Sequence, residues 1–105
     1  MQAILLIDTT NNKEMMVGLR LDGKEILKKQ PLDTRKAQVV LPLTQEILKE
    51  HALQLKDLTA IEVNAGPGSF TGIRVGLSIA NTLGFLLQIS VNDKKVGEPA
   101  EAVYQ

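Results

Sequence analysis

Ala65-Gly66-Pro67-Gly68-Ser69-Phe70-Thr71-Gly72-Ile73-Arg74 joins a short apolar run to the most hydrophobic helical segment of the chain. Before it, Leu58 to Asn64 (LTAIEVN) is short, β-branched and bounded by Asp57 and the glycines, the pattern of a strand. After it, Thr71 to Gln88 lacks proline and is long enough for about five helical turns. A strand, a tight turn and a helix in that order occur at many phosphate sites, because the first N–H groups of the helix point into the turn. The spacing matches neither standard phosphate fingerprint. A dinucleotide loop needs G-x-G-x-x-G, whereas Gly72 comes one residue late and Pro67 removes an N–H. A P-loop ends in Gly-Lys-Ser/Thr, and this turn ends in Gly72-Ile73-Arg74.

The faces of the second helix carry more information. Gly72, Gly76, Ala80 and Gly84 recur every four residues and form a stripe that another backbone can approach. Glycine costs roughly 1 kcal/mol in a helix relative to alanine, so close packing has to compensate. Arg74, Ser78, Asn81 and Thr82 occupy one narrow polar sector. Apolar or small residues cover roughly 200° of the rest, twice the stripe of about 100° that a helix on one sheet needs. A second covering surface is therefore expected, either a neighbouring helix or a partner.

At the N-terminus, Ala3 to Ile7 is apolar on both faces, as in a central strand, and ends in Asp8-Thr9-Thr10. Asp8 is expected to be structural, accepting hydrogen bonds from its own turn. Met15 to Leu21 and Glu25 to Gln30 flank Asp22-Gly23, the strongest short hairpin signal. Lys24, Lys28 and Lys29 suit the outer strand to a sheet edge. Leu32 to Arg35 connects to a helix, Lys36 to Ala52, with Pro42 near its start and apolar residues in two groups. The lone histidine, His51, lacks a nucleophile placed beside it and reads as a surface or boundary residue.

A right-handed crossover through that helix sets Leu58 to Asn64 parallel to the first strand, giving the order 3-2-1-4 with Ile89 to Asn92 as a fifth strand beyond. Successive crossovers in one direction put both helices on one face. The carboxyl ends of strands one and four then adjoin at a switch point, where ligands bind in open α/β sheets. Asp8, Thr9 and Thr10 thus face Gly66 and Gly68, a phosphate cleft in outline.

The 105 residues suffice for one domain, and a hydrophobic content of 44% is ordinary. With 12 basic and 12 acidic side chains there is no net charge, so no direct binding of nucleic acid is expected. Cysteine is absent, which excludes disulfides and thiolate metal sites. MQAILLIDTT has no basic leader region, and Arg74, Asn81 and Gln88 interrupt the one membrane candidate, so a cytoplasmic protein without membrane or metal association is expected.

Ile7-Asp8-Thr9-Thr10, Val39-Val40-Leu41-Pro42-Leu43 and above all the run from Gly66 to Ala80 resemble the bacterial TsaB (YeaZ) family over roughly residues 1 to 92. The resemblance implies an actin-like (ribonuclease H-like) domain over 1–92, with 93–105 as a tail. It also implies a short form or an N-terminal half, since most members have a second actin-like domain. By the same resemblance the chain is a non-catalytic partner of a TsaD-type paralogue, supported by a TsaE-type ATPase, in transfer of threonylcarbamoyl to tRNA adenosine next to the anticodon. No catalytic or cofactor residue is implied. One departure is Lys36, Ala37 and Gln38, where members usually carry His-Ser-Glu.

Three functions of different kinds fit these features: a partner subunit, an actin-like phosphotransferase, and a self-associating module that is homodimeric when alone. Against the second, Asp8 is followed by Thr9 rather than the glycine of actin-like nucleotide sites, and a half-cleft leaves phosphate in water. The motif Gly66, Pro67, Gly68, Ser69, Phe70, Thr71, Gly72 and Arg74 is expected either to contribute to a docking surface or only to start the helix, with Ser69 or Thr71 as N-cap, and Phe70 is expected to be buried. The expected partner surface comprises Val39, Leu43, Gly72, Val75, Gly76, Ile79 and Ala80, with Arg74 as a rim charge.

Overall fold

Asp22 and Gly23 both take positive φ, 49° and 89°, as a two-residue hairpin turn requires. The strands they join, β2 (Glu14–Leu21) and β3 (Lys24–Pro31), pair antiparallel from Leu21 and Lys24 outward. A computed structural model describes residues 1–31 and 36–103, and of residues 36 and 37 the backbone alone. The expected connection from 32 to 35 and the side chains of Lys36 and Ala37 lie outside the described residues. The remaining elements are β1 (Ala3–Asp8), α1 (Lys36–Glu50), a 3-10 turn (Leu55–Asp57), β4 (Ala60–Val63), α2 (Phe70–Leu87) and β5 (Ser90–Val91). The sheet runs β3-β2-β1-β4-β5, with β1 antiparallel to β2 and parallel to β4, as the crossover rule predicts.

Strand alternation sends Ala3, Leu5, Ile7, Met15, Val17, Leu19, Ile61, Val63 and Val91 to one face, all in the core cluster. Both helices lie on that face. Lys28, opposite Val17, reaches Glu46 at 3.3 Å and Glu50 at 2.8 Å on α1, and the bond to Glu50 foremost raises its pKa. Gly76 of α2 abuts Val63, and Gly84 abuts Val91.

Several boundaries differ from expectation for local reasons. α1 stops at Glu50 because Ala52 turns left-handed at φ 55° and Leu53 N–H returns to the Leu48 carbonyl at 2.9 Å. His51 is half-buried at this end, and its Nδ1 donates to the Ile47 carbonyl at 2.8 Å. α2 begins at Phe70 because Ser69 is the N-cap, its hydroxyl accepting from Gly72 N–H at 3.2 Å. β5 has two residues rather than four. Asn92 leaves the strand at φ 53° but continues the pairing with its side chain, accepting from Val63 N–H at 2.8 Å and donating to the Val63 carbonyl at 2.9 Å.

On the other face Ile4 and Leu6 are only 7% exposed, with no helix among the described residues over them. Leu27 folds across, in room left by Gly18, where a Cβ would stand 2.6 Å from Leu27 Cδ2. Arg20 spans the same face, bonding Glu62 at 2.7 Å and Glu25 at 2.9 Å. These bonds, Glu62 first, raise its already high pKa.

α2 is long and apolar enough to cross a membrane by length and composition. In this fold Gly72, Ile73, Gly76, Leu77, Ala80, Leu83 and Gly84 are buried.

Candidate functional site

The ends of β1 and β4 meet as the switch-point reasoning requires. Asp8 Oδ1 accepts from the Thr10 N–H at 3.0 Å and the Thr10 hydroxyl at 2.7 Å, while Oδ2 accepts from Asn64 Nδ2 at 3.1 Å. Asn64 Oδ1 in turn accepts from Gly66 N–H at 3.0 Å. A chain of side-chain bonds therefore ties the two strand ends to the turn. Burial opposes the Asp8 charge, but the bonds from Thr10 and Asn64 outweigh it and hold the carboxyl below its ordinary value.

The neighbouring threonines fill the concave side of the turn. The Thr10 carbonyl accepts from Ser69 N–H at 2.8 Å. A Cβ on Gly68 would stand 2.7 Å from Thr10 Cβ, so the glycine is there for close approach. Thr9 is fully buried, and its hydroxyl donates to the Gly72 carbonyl. Gly66, at φ 116° before a cis Pro67, abuts the Val103 carbonyl from the far side. The expected cleft residues Asp8, Thr9, Thr10, Gly66 and Gly68 are thus together, and they bond and pack against one another.

The outer side of α2 is different. Phe70 is 57% exposed, contrary to the expectation that it joins the core. It opens the helix on the ridge shared with Arg74 and Ser78, and the Arg74 guanidinium lies 5.1 Å from its ring centroid. Phe70, Thr71, Arg74, Val75, Ser78 and Ile79 line an open groove of about 380 Å³. Val75 and Ile79 are half-buried there, and Val39 of α1 is half-buried too.

The rest of the expected partner surface faces inward. Leu43 and Ala80 are core residues at 6% and 0% exposure, and Gly72 and Gly76 are buried. A Cβ on Gly76 would come within 2.5 Å of the Thr9 hydroxyl and 3.3 Å of Val63. The small-residue stripe lets α2 settle on the sheet, so it is not available on the outside.

The family model for tRNA N6-adenosine threonylcarbamoyltransferase, TsaD, matches residues 32–92, more than half of the chain. The chain belongs to the TsaD family. Within it the chain is similar to TsaB (YeaZ) members and, at 42% identity over 52 residues, to the tRNA N6-adenosine threonylcarbamoyltransferase of Nitrosospira multiformis. The TsaB protein of Escherichia coli K12, described as a tRNA threonylcarbamoyladenosine biosynthesis protein, is 38% identical over 80 residues, 76% of this chain and 34% of its own length. Its namesake in Bacillus subtilis 168 is 33% identical over 89 residues, 85% of this chain and 39% of its own. The structure of YeaZ from Pseudomonas aeruginosa aligns with a TM-score of 0.81 at 29% identity, covering 90% of this chain and 44% of that one. The fold is therefore the actin-like one. The chain spans between a third and two-fifths of the length of these two curated TsaB relatives.

Two features of this TsaD-family chain escaped sequence reasoning. Arg20 could have been found, since an Asp22-Gly23 turn sets it opposite Glu25, but Glu62 lies two strands away in a register the sequence does not print. Asn81 read as one of the polar positions of α2, whereas it bonds the backbone of Ala100 in the tail.

Proposed function

We propose that this chain is a non-catalytic, cytoplasmic partner subunit in threonylcarbamoyladenosine modification of tRNA, binding a TsaD-type paralogue through the outer side of α2. The observation that carries it is the exposed groove of Phe70, Val75 and Ile79 with Arg74 on its rim, an apolar centre beside a charged edge. Among the described residues Arg74 has no carboxylate partner, so a partner acidic beside the groove gains a new ion pair. The packing of Thr10 against Gly68 favours this role over a phosphotransferase, because protein atoms stand where an anion would enter the turn. The balance of charge supports leaving tRNA contacts to the other subunits, with a TsaE-type ATPase completing the set. Without the paralogue, the same groove serves a second copy about a twofold axis.

Co-elution of the chain with a TsaD-type protein tests the proposal. Val75→Glu and Ile79→Glu, both at half-buried outer positions, are expected to weaken the complex at least about tenfold while circular dichroism stays native. Unchanged affinity in both variants would move the interface elsewhere, and no complex with any TsaD-type protein of the same host would overturn the role.

A further inference from the structure

Asn81 stands on the flank of α2 that adjoins β5 and commits both ends of its amide to one backbone residue. Nδ2 donates to the Ala100 carbonyl at 3.0 Å, and Oδ1 accepts from the Ala100 N–H at 2.9 Å. An adjacent strand offers an extended residue the same donor and acceptor. Three residues on, Val103 N–H donates to the Ala65 carbonyl at 2.7 Å. Between these anchors the side chains alternate, with Ala100 buried, Glu101 exposed, Ala102 half-buried and Val103 exposed, the period of a strand. The walls suit a bare backbone. Gly66 meets the Val103 carbonyl, and Gly84 helps line a hollow of about 180 Å³ beside Asn81 and Pro99. The seam reads main chain and asks only for small side chains at alternate positions.

The link that delivers this segment is lightly held. Asp93 to Pro99 are all exposed, tied by Lys94 N–H to the Val91 carbonyl at 3.1 Å, Glu98 N–H to the Lys95 carbonyl at 2.9 Å, and a Lys94–Glu98 ion pair at 3.7 Å. The strap lies beyond residue 92, where the family match ends. No residue of the strap lines the Val75–Ile79 groove, so the strap does not fill it.

We infer that the seam between Asn81 and Ala65 is a binding site for an extended peptide with small residues at alternate positions, that Pro99–Val103 is its exchangeable resident, and that a second copy of the chain can supply the same segment instead. A segment from another copy makes the same three hydrogen bonds, and only the course of the exposed link differs. The resident competes at an effective concentration in the millimolar range, so exchange needs concentrated protein or a copy whose own strap is unseated.

Hydrogen exchange on the unaltered chain is the first test. The Ala100 and Val103 amides should be protected about 10- to 1,000-fold and open locally, far faster than the Leu5 amide. Exchange of Ala100 only with global unfolding would overturn exchangeability. In the second test, Ala100→Arg unseats the strap, and a labelled peptide spanning residues 95–103 should bind this variant one to one. It should bind the Asn81→Ala, Ala100→Arg double variant at least about tenfold more weakly. If Ala100→Arg loses native circular dichroism, the peptide is titrated at millimolar concentration into the native chain while the Asn81 side-chain amide resonance is followed. No peptide binding in whichever titration applies overturns the site. For the second copy, Asn81→Ala and Ala100→Arg chains, both carrying Val75→Glu to remove association through the α2 groove, should dimerise on mixing but not alone. No dimer in sedimentation overturns exchange between copies.

Discussion

Gly76→Ala tests which way the small-residue stripe of α2 faces. On an exposed helix the change stabilises by about 1 kcal/mol, since alanine is the better helix former. Here the new Cβ would stand 2.5 Å from the Thr9 hydroxyl oxygen and 3.3 Å from Val63 Cγ2. Thr9 is fully buried with its hydroxyl on the Gly72 carbonyl, so it cannot swing aside without breaking that bond. Breaking this buried bond costs about 1–3 kcal/mol, and lifting the helix instead costs about 1–3 kcal/mol through overpacking. Set against the helix gain, the net loss is on the order of 0–2 kcal/mol, which lowers Tm by up to about 16 °C in a domain of this size. Thermal and urea unfolding of the four chains in a cycle with Thr9→Ala gives the decisive comparison. Once the Thr9 hydroxyl is gone, Gly76→Ala should become neutral or stabilising, a coupling of about 1 kcal/mol or more. A rise in Tm for Gly76→Ala alone, or the same loss in the Thr9→Ala background, would refute the inward-facing stripe.

Asp8→Asn should lower stability by about 1–2 kcal/mol at neutral pH, because its new amide would face the Asn64 amide donor to donor. The folded carboxyl titrates below its ordinary value of 3.8, so its contribution is full above that value and disappears as the pH falls through the folded pKa. Urea unfolding from pH 7 to pH 2 should show the two chains converging in acid, and a constant difference would exclude the linkage. Phe70→Ala, at 57% exposure, should cost under about 1 kcal/mol of stability rather than the roughly 3–5 kcal/mol of a core phenylalanine, while weakening the TsaD-type complex measured by calorimetry. Mg-ATP should bind the chain no more tightly than about 1 mM and should not be hydrolysed. A micromolar constant abolished by Asp8→Ala would restore the phosphotransferase.

Local chemistry was legible wherever one residue type had one use. Asp22-Gly23 admits few conformations besides a tight hairpin, and the hairpin with the crossover leaves little choice of strand order. Ser69 was one of two candidate caps, and the three-residue reach from its hydroxyl to Gly72 N–H decided between them. Asp8 could be read as structural because a carboxylate at a strand end beside threonines finds N–H and O–H donors within its own turn.

Orientation was not legible, and the glycine stripe shows why. Gly72, Gly76, Ala80 and Gly84 state that something approaches α2 closely without saying what, since a sheet and a partner helix make the same demand for small residues. The choice lies in Thr9 and Val63, whose side chains fit against Gly76 only when α2 is set down on β1 and β4 in one rotation about its axis. That rotation turns Phe70 and Arg74 outward, so the exposure of the aromatic ring and the burial of the glycines are one geometric fact. It also places Asn81 on the flank beside the tail, where an amide that looks like ordinary surface polarity in sequence becomes a clasp for main chain.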